Sequence, residues 1–314
     1  MATTTTTAGT TSLSTDNTSQ TSLLGSLNRD GFVLIPSLLT PSQLQTLRST
    51  TLEIDALARA GKWPHVRTLP KQFPPWTIPP GTNPAANGIW GVQFLMHPKL
   101  SPSTTFIQHY FSSPIINVVK ELIECEDEEL VLELFNLLVR PDEDFELVWH
   151  RDDIPWNAST EEEKERLGVG KPRERAWHAQ WNLALHDDNS LIVIPGSHRR
   201  AKTDRERAAG PHETGLPGEI KVEMKAGDVV FYDNNILHRG KYDAGKPRAT
   251  LHGSMGRIGG NPDRARNVLQ HGIGEWVGQI DLSALEGKEK ERAEGMRERL
   301  KSMGGHTGEY SLQG

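Results

Sequence analysis

The stretch Phe145-Glu146-Leu147-Val148-Trp149-His150-Arg151-Asp152-Asp153 combines residue types and a spacing that point to chemistry. In an extended segment residues i and i+2 face the same way, so His150 and Asp152 present an imidazole and a carboxylate side by side. A His-x-Asp tripeptide is common by chance and gains meaning only from a third donor on a neighbouring strand. The candidate is His238, in Asn234-Asn235-Ile236-Leu237-His238-Arg239-Gly240, 88 residues downstream. Two histidines and one carboxylate occupy one face of a metal ion and leave three positions open, the facial triad associated with non-haem Fe(II) oxygenases. Ten residues beyond His238, Arg248 stands at the mouth of another strand. Its guanidinium suits a carboxylate, which it holds bidentately without deprotonating. Asp153 competes with Asp152 as a ligand, but alternation puts it on the opposite face, where a turn or supporting hydrogen bond is its expected role.

Such a triad needs strands to hold it, and the middle of the chain supplies them. Seven short β-type runs are separated by Gly, Pro, Asn and Asp turns: Leu130–Leu138, Phe145–His150, Ala176–Leu185, Leu191–Pro195, Ile220–Val222, Val229–Tyr232 and Ala249–Met255. This pattern predicts a mainly β fold, a sandwich or jelly roll. Ahead of it, Phe32–Pro36 reads as a strand stopped by proline. Thr40-Pro41-Ser42-Gln43 reads as a helix start with a capping box. The spacing of Ile107, Phe111, Ile115, Val118, Val119 and Leu122 predicts one helix over 106–124. Near the end, Ser283 and Glu286 suggest a capping box opening an exposed, charge-balanced helix over 281–301. The expected organisation is a Thr/Ser-rich disordered tail over 1–22, a single domain over 23–280, and a charged helix and tail over 281–314.

Composition excludes several classes. A net charge of −6 gives no general case for nucleic acid or anionic membrane. No apolar run is long enough for a membrane span. The single cysteine, Cys125, forms no internal disulfide, and its acidic neighbours disfavour a reactive thiolate; twelve histidines shift any metal hypothesis to His and carboxylate donors. The tail lacks the basic and apolar regions of a secretory signal, so a cytoplasmic protein is expected.

Across residues 30–257 the sequence resembles the phytanoyl-CoA dioxygenase family of Fe(II)- and 2-oxoglutarate-dependent oxygenases. The resemblance rests on Asp30-Gly31-Phe32-Val33-Leu34-Ile35-Pro36 and on His150-Arg151-Asp152-Asp153. It continues through Leu191-Ile192-Val193-Ile194-Pro195-Gly196-Ser197-His198, Ala226-Gly227-Asp228-Val229-Val230-Phe231, and Leu237-His238 with Arg248. It implies a double-stranded β-helix, the cupin-like jelly roll, with flanking N-terminal helices and a C-terminal helix. It also implies Fe(II) on His150, Asp152 and His238, and 2-oxoglutarate as cosubstrate with its distal carboxylate on Arg248. The reaction would consume O2 and oxidise a small organic metabolite, by hydroxylation first of all, releasing succinate and CO2. Members often carry a hydroxyl residue two positions after the distal histidine; here that position is Gly240, and Thr250, on the same face as Arg248, is the substitute offered. The retained Asp152 speaks against a halogenating variant of the site. The expected partners are a small-molecule substrate and, at most, a second copy of the chain as a homodimer. The alternatives are a cupin-type metal enzyme not using 2-oxoglutarate, which Arg248 argues against, and an inactive jelly-roll binding module, which the intact triad argues against.

Other signals have two readings. His178, Gln180 and Asn182 alternate on one face of a run and would line a pocket if inside the barrel, or meet water if outside; Gln93 and Asn136 are weaker versions of the same idea. His198 closes a Pro-Gly-Ser-His turn and reads as structural. Residues 154–175 read as a lid or as a charged surface helix starting at Ser159. Arg199, Arg200, Lys202, Arg205 and Arg207 form a basic loop, solvated or facing an anionic substrate tail. Trp149 and Trp156 read as pocket wall or as core.

Overall fold

The β-type runs pair into two antiparallel sheets. The computed structural model describes residues 22–71, 88–172, 174–260, 264–265, 268–269 and 272–303. The expected tail up to residue 21 and most of the Pro/Gly-rich loop at 61–88 fall outside them. The strands are β1 (Phe32–Ile35), β2 (Val66–Thr68), β3 (Ile89–Val92), β4 (Leu130–Val139), β5 (Phe145–Glu146), β6 (His178–Ala184), β7 (Leu191–Ile194), β8 (Ile220–Lys221), β9 (Val229–Tyr232), β10 (Leu237–Tyr242) and β11 (Ala249–Arg257). One sheet has the order β1-β9-β6-β11-β4-β3-β2 and the other β5-β10-β7-β8. This is the mainly β jelly roll expected, with helices flanking the larger sheet.

Alternation explains how each strand divides its side chains. On β11, Leu251 and Met255 join Trp181, Leu183, Val229 and Phe231 in the main core, packed under helices α1 (Leu23–Asp30), α2 (Pro41–Arg59), α3 (Ser103–Tyr110) and α4 (Ser113–Ile123). The opposite face of β11 carries Thr250, His252 and Ser254, paired in register with Ala184, Asn182 and Gln180 of β6. That polar face lies inside the barrel. No described helix is long and apolar enough to cross a membrane.

The capping box at Thr40 forms as expected, with Gln43 N–H donating to Thr40 Oγ1 and Gln43 Oε1 accepting from Thr40 N–H. Three elements differ from expectation. The helix over 106–124 is two helices, because Pro114 has no N–H to continue α3 and instead sits in the first turn of α4. Only the first two residues of Phe145–His150 are strand; His150 rejoins the ladder as a single bridge. Helix α5 (Thr160–Arg166) and the short α6 (Asp204–Arg207) precede α7 (Gly287–Met303), which starts after Ser283 rather than at a box there. Ser283 N–H is held instead by Asp281. Helix α7 also buries a face, Ala293, Met296 and Leu300, against β4.

His109, inside α3 and stacked on Phe135, is pushed down to about 4 by burial alone. The unfolded chain therefore takes up the proton first as pH falls. Stability from this residue is complete above about pH 6.5 and declines as pH drops toward 4. We expect the melting temperature to fall between pH 7 and pH 5, and His109→Leu to flatten that fall; an unchanged slope would refute the assignment.

Candidate metal centre

β10 and the irregular chain before residue 153 bring the metal-binding candidates together. On β10, His238 is in register with Val193 of β7. His150 and His238 form an antiparallel bridge, each backbone N–H donating to the other's carbonyl at 3.0 and 3.1 Å. Asp152 N–H donates to the Asn234 carbonyl at 2.8 Å, which holds the second donor beside the first. The two imidazole Nε2 atoms each lie 3.6 Å from Asp152 Oδ1. One donor atom from each of the three residues falls within a 4.8 Å span.

Both histidines are oriented alike. Nδ1 of His150 lies 2.8 Å from the Val148 carbonyl, and Nδ1 of His238 lies 2.8 Å from the Ile236 carbonyl. Each carbonyl places the proton on Nδ1 and turns the Nε2 lone pair toward the carboxylate. Burial and the neighbouring His238 push His150 down to about 4, so it is neutral and ready to ligate. Burial raises the Asp152 carboxyl, but His238, His150 and the Gln180 hydrogen bond outweigh it and hold it below the usual range. Metal–ligand bonds of about 2.0–2.2 Å put neighbouring donors about 3 Å apart, so each 3.6 Å imidazole–carboxylate separation would shorten by about 0.6 Å around a divalent ion. Asp152 keeps 31% of its side chain accessible against 12% for His150 and 8% for His238, so the triad is open on its carboxylate side.

The polar row on β6 lies inside the barrel. Gln180 Nε2 donates to Asp152 Oδ2 at 2.9 Å, and Asn182 Oδ1 meets His252 Nδ1 at 2.9 Å. Gln93 and Asn136 are buried too, and the Asn136 amide oxygen accepts from Phe94 N–H at 3.0 Å. Asp153 turns away from the triad, and Asn234 Nδ2 donates to its carboxylate. Arg248 is buried at the start of β11. Its Nε donates to Asp188 Oδ2 at 3.1 Å, and Thr250 Oγ1 donates to the same oxygen at 2.8 Å. Arg248 and Thr250 are thus brought together on one carboxylate oxygen of Asp188.

Sequence reasoning missed Asp188, Tyr242, His252 and Arg67, which neighbour Arg248, Asn182 or Asp152. His252 shares a strand face with Arg248 and Thr250, and extending that alternation by one step finds it. Arg67, deep beside Tyr232, Tyr242 and Asp152, comes from an edge strand with no sequence mark.

A family model described as phytanoyl-CoA dioxygenase (PhyH) matches residues 27–246. The chain belongs to this family. Similar solved structures include AviO1 from Streptomyces viridochromogenes Tue57, at 18% identity and a TM-score of 0.52, covering 76% of this chain and 96% of that one. EctD from S. alaskensis with 2-oxoglutarate and 5-hydroxyectoine gives 19% identity and a TM-score of 0.52, covering 75% of each chain. HygX from Streptomyces hygroscopicus with nickel, 2-oxoglutarate and hygromycin B gives 16% and 0.50, covering 76% of this chain and 87% of that one. These likenesses establish the shared fold. No curated protein matches the sequence.

The family's turn at 195–198 is structural here. Ser197 Oγ accepts from Leu237 N–H at 2.8 Å, and His198 Nε2 lies 3.2 Å from the Asn28 carbonyl. The His198 ring packs on Gly31, where a Cβ would stand 2.5 Å from Nδ1. The basic loop divides: Arg199 and Arg205 are exposed to solvent, as the solvated reading expects, and the others are not. Lys202 and Arg207 turn inward to Glu163 of α5, whose carboxylate is fully buried. Arg200 pairs with Glu206 at 2.6 Å. The segment at 154–175 is thus pinned to this loop, with Lys202 over the Trp156 ring at 3.9 Å. Trp149 is core on the outer face of the smaller sheet, with Ile192, Ile194 and Leu237.

Proposed function

We propose that the protein is an Fe(II)- and 2-oxoglutarate-dependent dioxygenase that hydroxylates a small organic metabolite, with succinate and CO2 as coproducts. The observation that carries this reading is the meeting of two imidazole nitrogens and one carboxylate oxygen within 4.8 Å of one another, in a fold that also buries the Arg248 side chain. His150, Asp152 and His238 would hold the iron, and Arg248 the distal carboxylate of 2-oxoglutarate, with Thr250 steadying Arg248 through Asp188. When bound, iron and 2-oxoglutarate supply the O2-dependent oxidation. The chain's residues supply position: carbonyls fix both imidazoles, Gln180 orients Asp152, and the barrel walls exclude water. The retained Asp152 favours oxygen transfer over halogenation. EctD and HygX, solved with 2-oxoglutarate beside an organic ligand, support a small-molecule substrate.

The test is anaerobic addition of 2-oxoglutarate to the Fe(II)-loaded protein. A visible chelate absorption band is expected, followed by succinate formation and O2 uptake with candidate substrates. Absence of the band refutes the cosubstrate assignment. Arg248→Ala should raise the 2-oxoglutarate requirement by about 10- to 100-fold, as expected for a lost charge-assisted hydrogen bond, and leave Fe(II) affinity nearly unchanged. Equal effects on both ligands would contradict the role given to Arg248.

A further inference from the structure

Resting on that reading, the distal carboxylate of the cosubstrate needs donors close to Arg248. Arg248 already uses Nε on Asp188, while its Nη1 is buried without a hydrogen-bond partner among the described residues. Beside it lies Tyr242, 5% exposed, with its ring centroid 4.1 Å from the guanidinium carbon. His238, Gly240 and Tyr242 share one face of β10 by alternation. The Tyr242 ring leans back along the strand and covers Gly240. A Cβ at residue 240 would stand 2.2 Å from the Tyr242 hydroxyl oxygen and 2.5 Å from Cζ. A side chain at 240 and Tyr242 in this position exclude each other. Strand rise puts residue 240 about 6.6 Å from His238, within the span of a five-carbon dicarboxylate reaching from the metal.

We propose that Tyr242, given room by Gly240, donates its phenolic hydrogen to the distal carboxylate of 2-oxoglutarate alongside Arg248 Nη1. Tyr242 thereby fills the place that Gly240 leaves empty, and Thr250 does not. Burial pushes the Tyr242 phenol up, outweighing the opposing Arg248 charge, so it remains a neutral donor.

The test titrates 2-oxoglutarate, and separately pyruvate, into the anaerobic Fe(II)-loaded full chain, reading the chelate absorption band. Pyruvate has the keto acid end and lacks the distal carboxylate. Tyr242→Phe should weaken 2-oxoglutarate about tenfold and leave pyruvate and Fe(II) affinity unchanged. Gly240→Ala should weaken 2-oxoglutarate comparably by displacing the ring, and should cost nothing further in a Tyr242→Leu background. Wild-type affinity for 2-oxoglutarate in Tyr242→Phe, an equal loss for pyruvate, or a harmless Gly240→Ala would each overturn the proposal and leave the dioxygenase reading intact. A wild-type protein that shows no band overturns the reading, and the proposal with it.

Discussion

Asp152→Ala should lose Fe(II) affinity by on the order of 100-fold or more, while Asp153→Ala keeps it within a few-fold. Among the described residues, Asp152 is the one carboxylate whose oxygen lies 3.6 Å from both imidazoles. Without it the ion meets two neutral nitrogens and no compensating charge. Losing a supporting residue around a metal site typically costs 10–100-fold, and losing a ligand should cost at least the upper part of that range. Asp153, one residue on, has its carboxylate held by the Asn234 side chain and is not among the clustered donor residues. Equilibrium dialysis under anaerobic conditions reads both variants. The reverse ranking would sink the ligand assignment.

The largest stability effect should come from a residue with no part in the chemistry. Glu163 is fully buried and faces Arg207, Lys202 and Arg151. Its Oε2 also accepts from Lys202 N–H at 2.9 Å. Removing one carboxylate strands buried cations, at a cost of about 3–5 kcal/mol. For a chain of this size that is roughly a 10 °C drop in melting temperature. Glu163→Gln keeps the shape and removes the charge, so it isolates the electrostatic part. Melting within a degree of wild type would show that the cluster is solvated rather than sealed. Arg151 also donates to the Ser197 and Asn235 carbonyls, so the same variant reports whether the cluster steadies the chain around His150.

Much of the site was legible because it follows from local rules. Alternation selected Asp152 over Asp153. The same period-two argument placed His178, Gln180 and Asn182 together on one face, leaving only the choice of inside or outside. That choice is tertiary: it depends on which face of β6 meets the helices, and Trp181 and Leu183 settle it by entering the main core. Capping chemistry located the starts of α2 and α5 for the same local reason. It failed at Ser283, where an Asp281 hydrogen bond makes a tight turn from the same residue types. The hydrophobic period across 106–124 hid the break between α3 and α4, because both helices bury their apolar side in the same core. Strand β10 is missing from the seven β-type runs, although His238 is expected on a strand, because Gly240 and the cations at 239 and 241 interrupt its apolar pattern. Arg239 is nonetheless fully buried, over the Trp149 ring and paired with Glu146.

The two sheets carry different cargo. His238 belongs to the four-stranded sheet, and His150 and Asp152 to the chain laddered onto its β10 edge. Arg248 and His252, which would meet organic ligands, lie at the start of and along β11 in the seven-stranded sheet. Gln180 to Asp152 is a direct side-chain tie from one to the other at the triad. The core beneath the larger sheet is separate from the backbone pairs that fix the ligands. Under the proposed function, a change of side-chain volume beneath β11 would shift Arg248 and His252 relative to the His150–His238 bridge. The carbon–hydrogen bond that such an enzyme would present for oxidation would then be tuned from the far side of the sheet, with the metal-binding side chains unchanged.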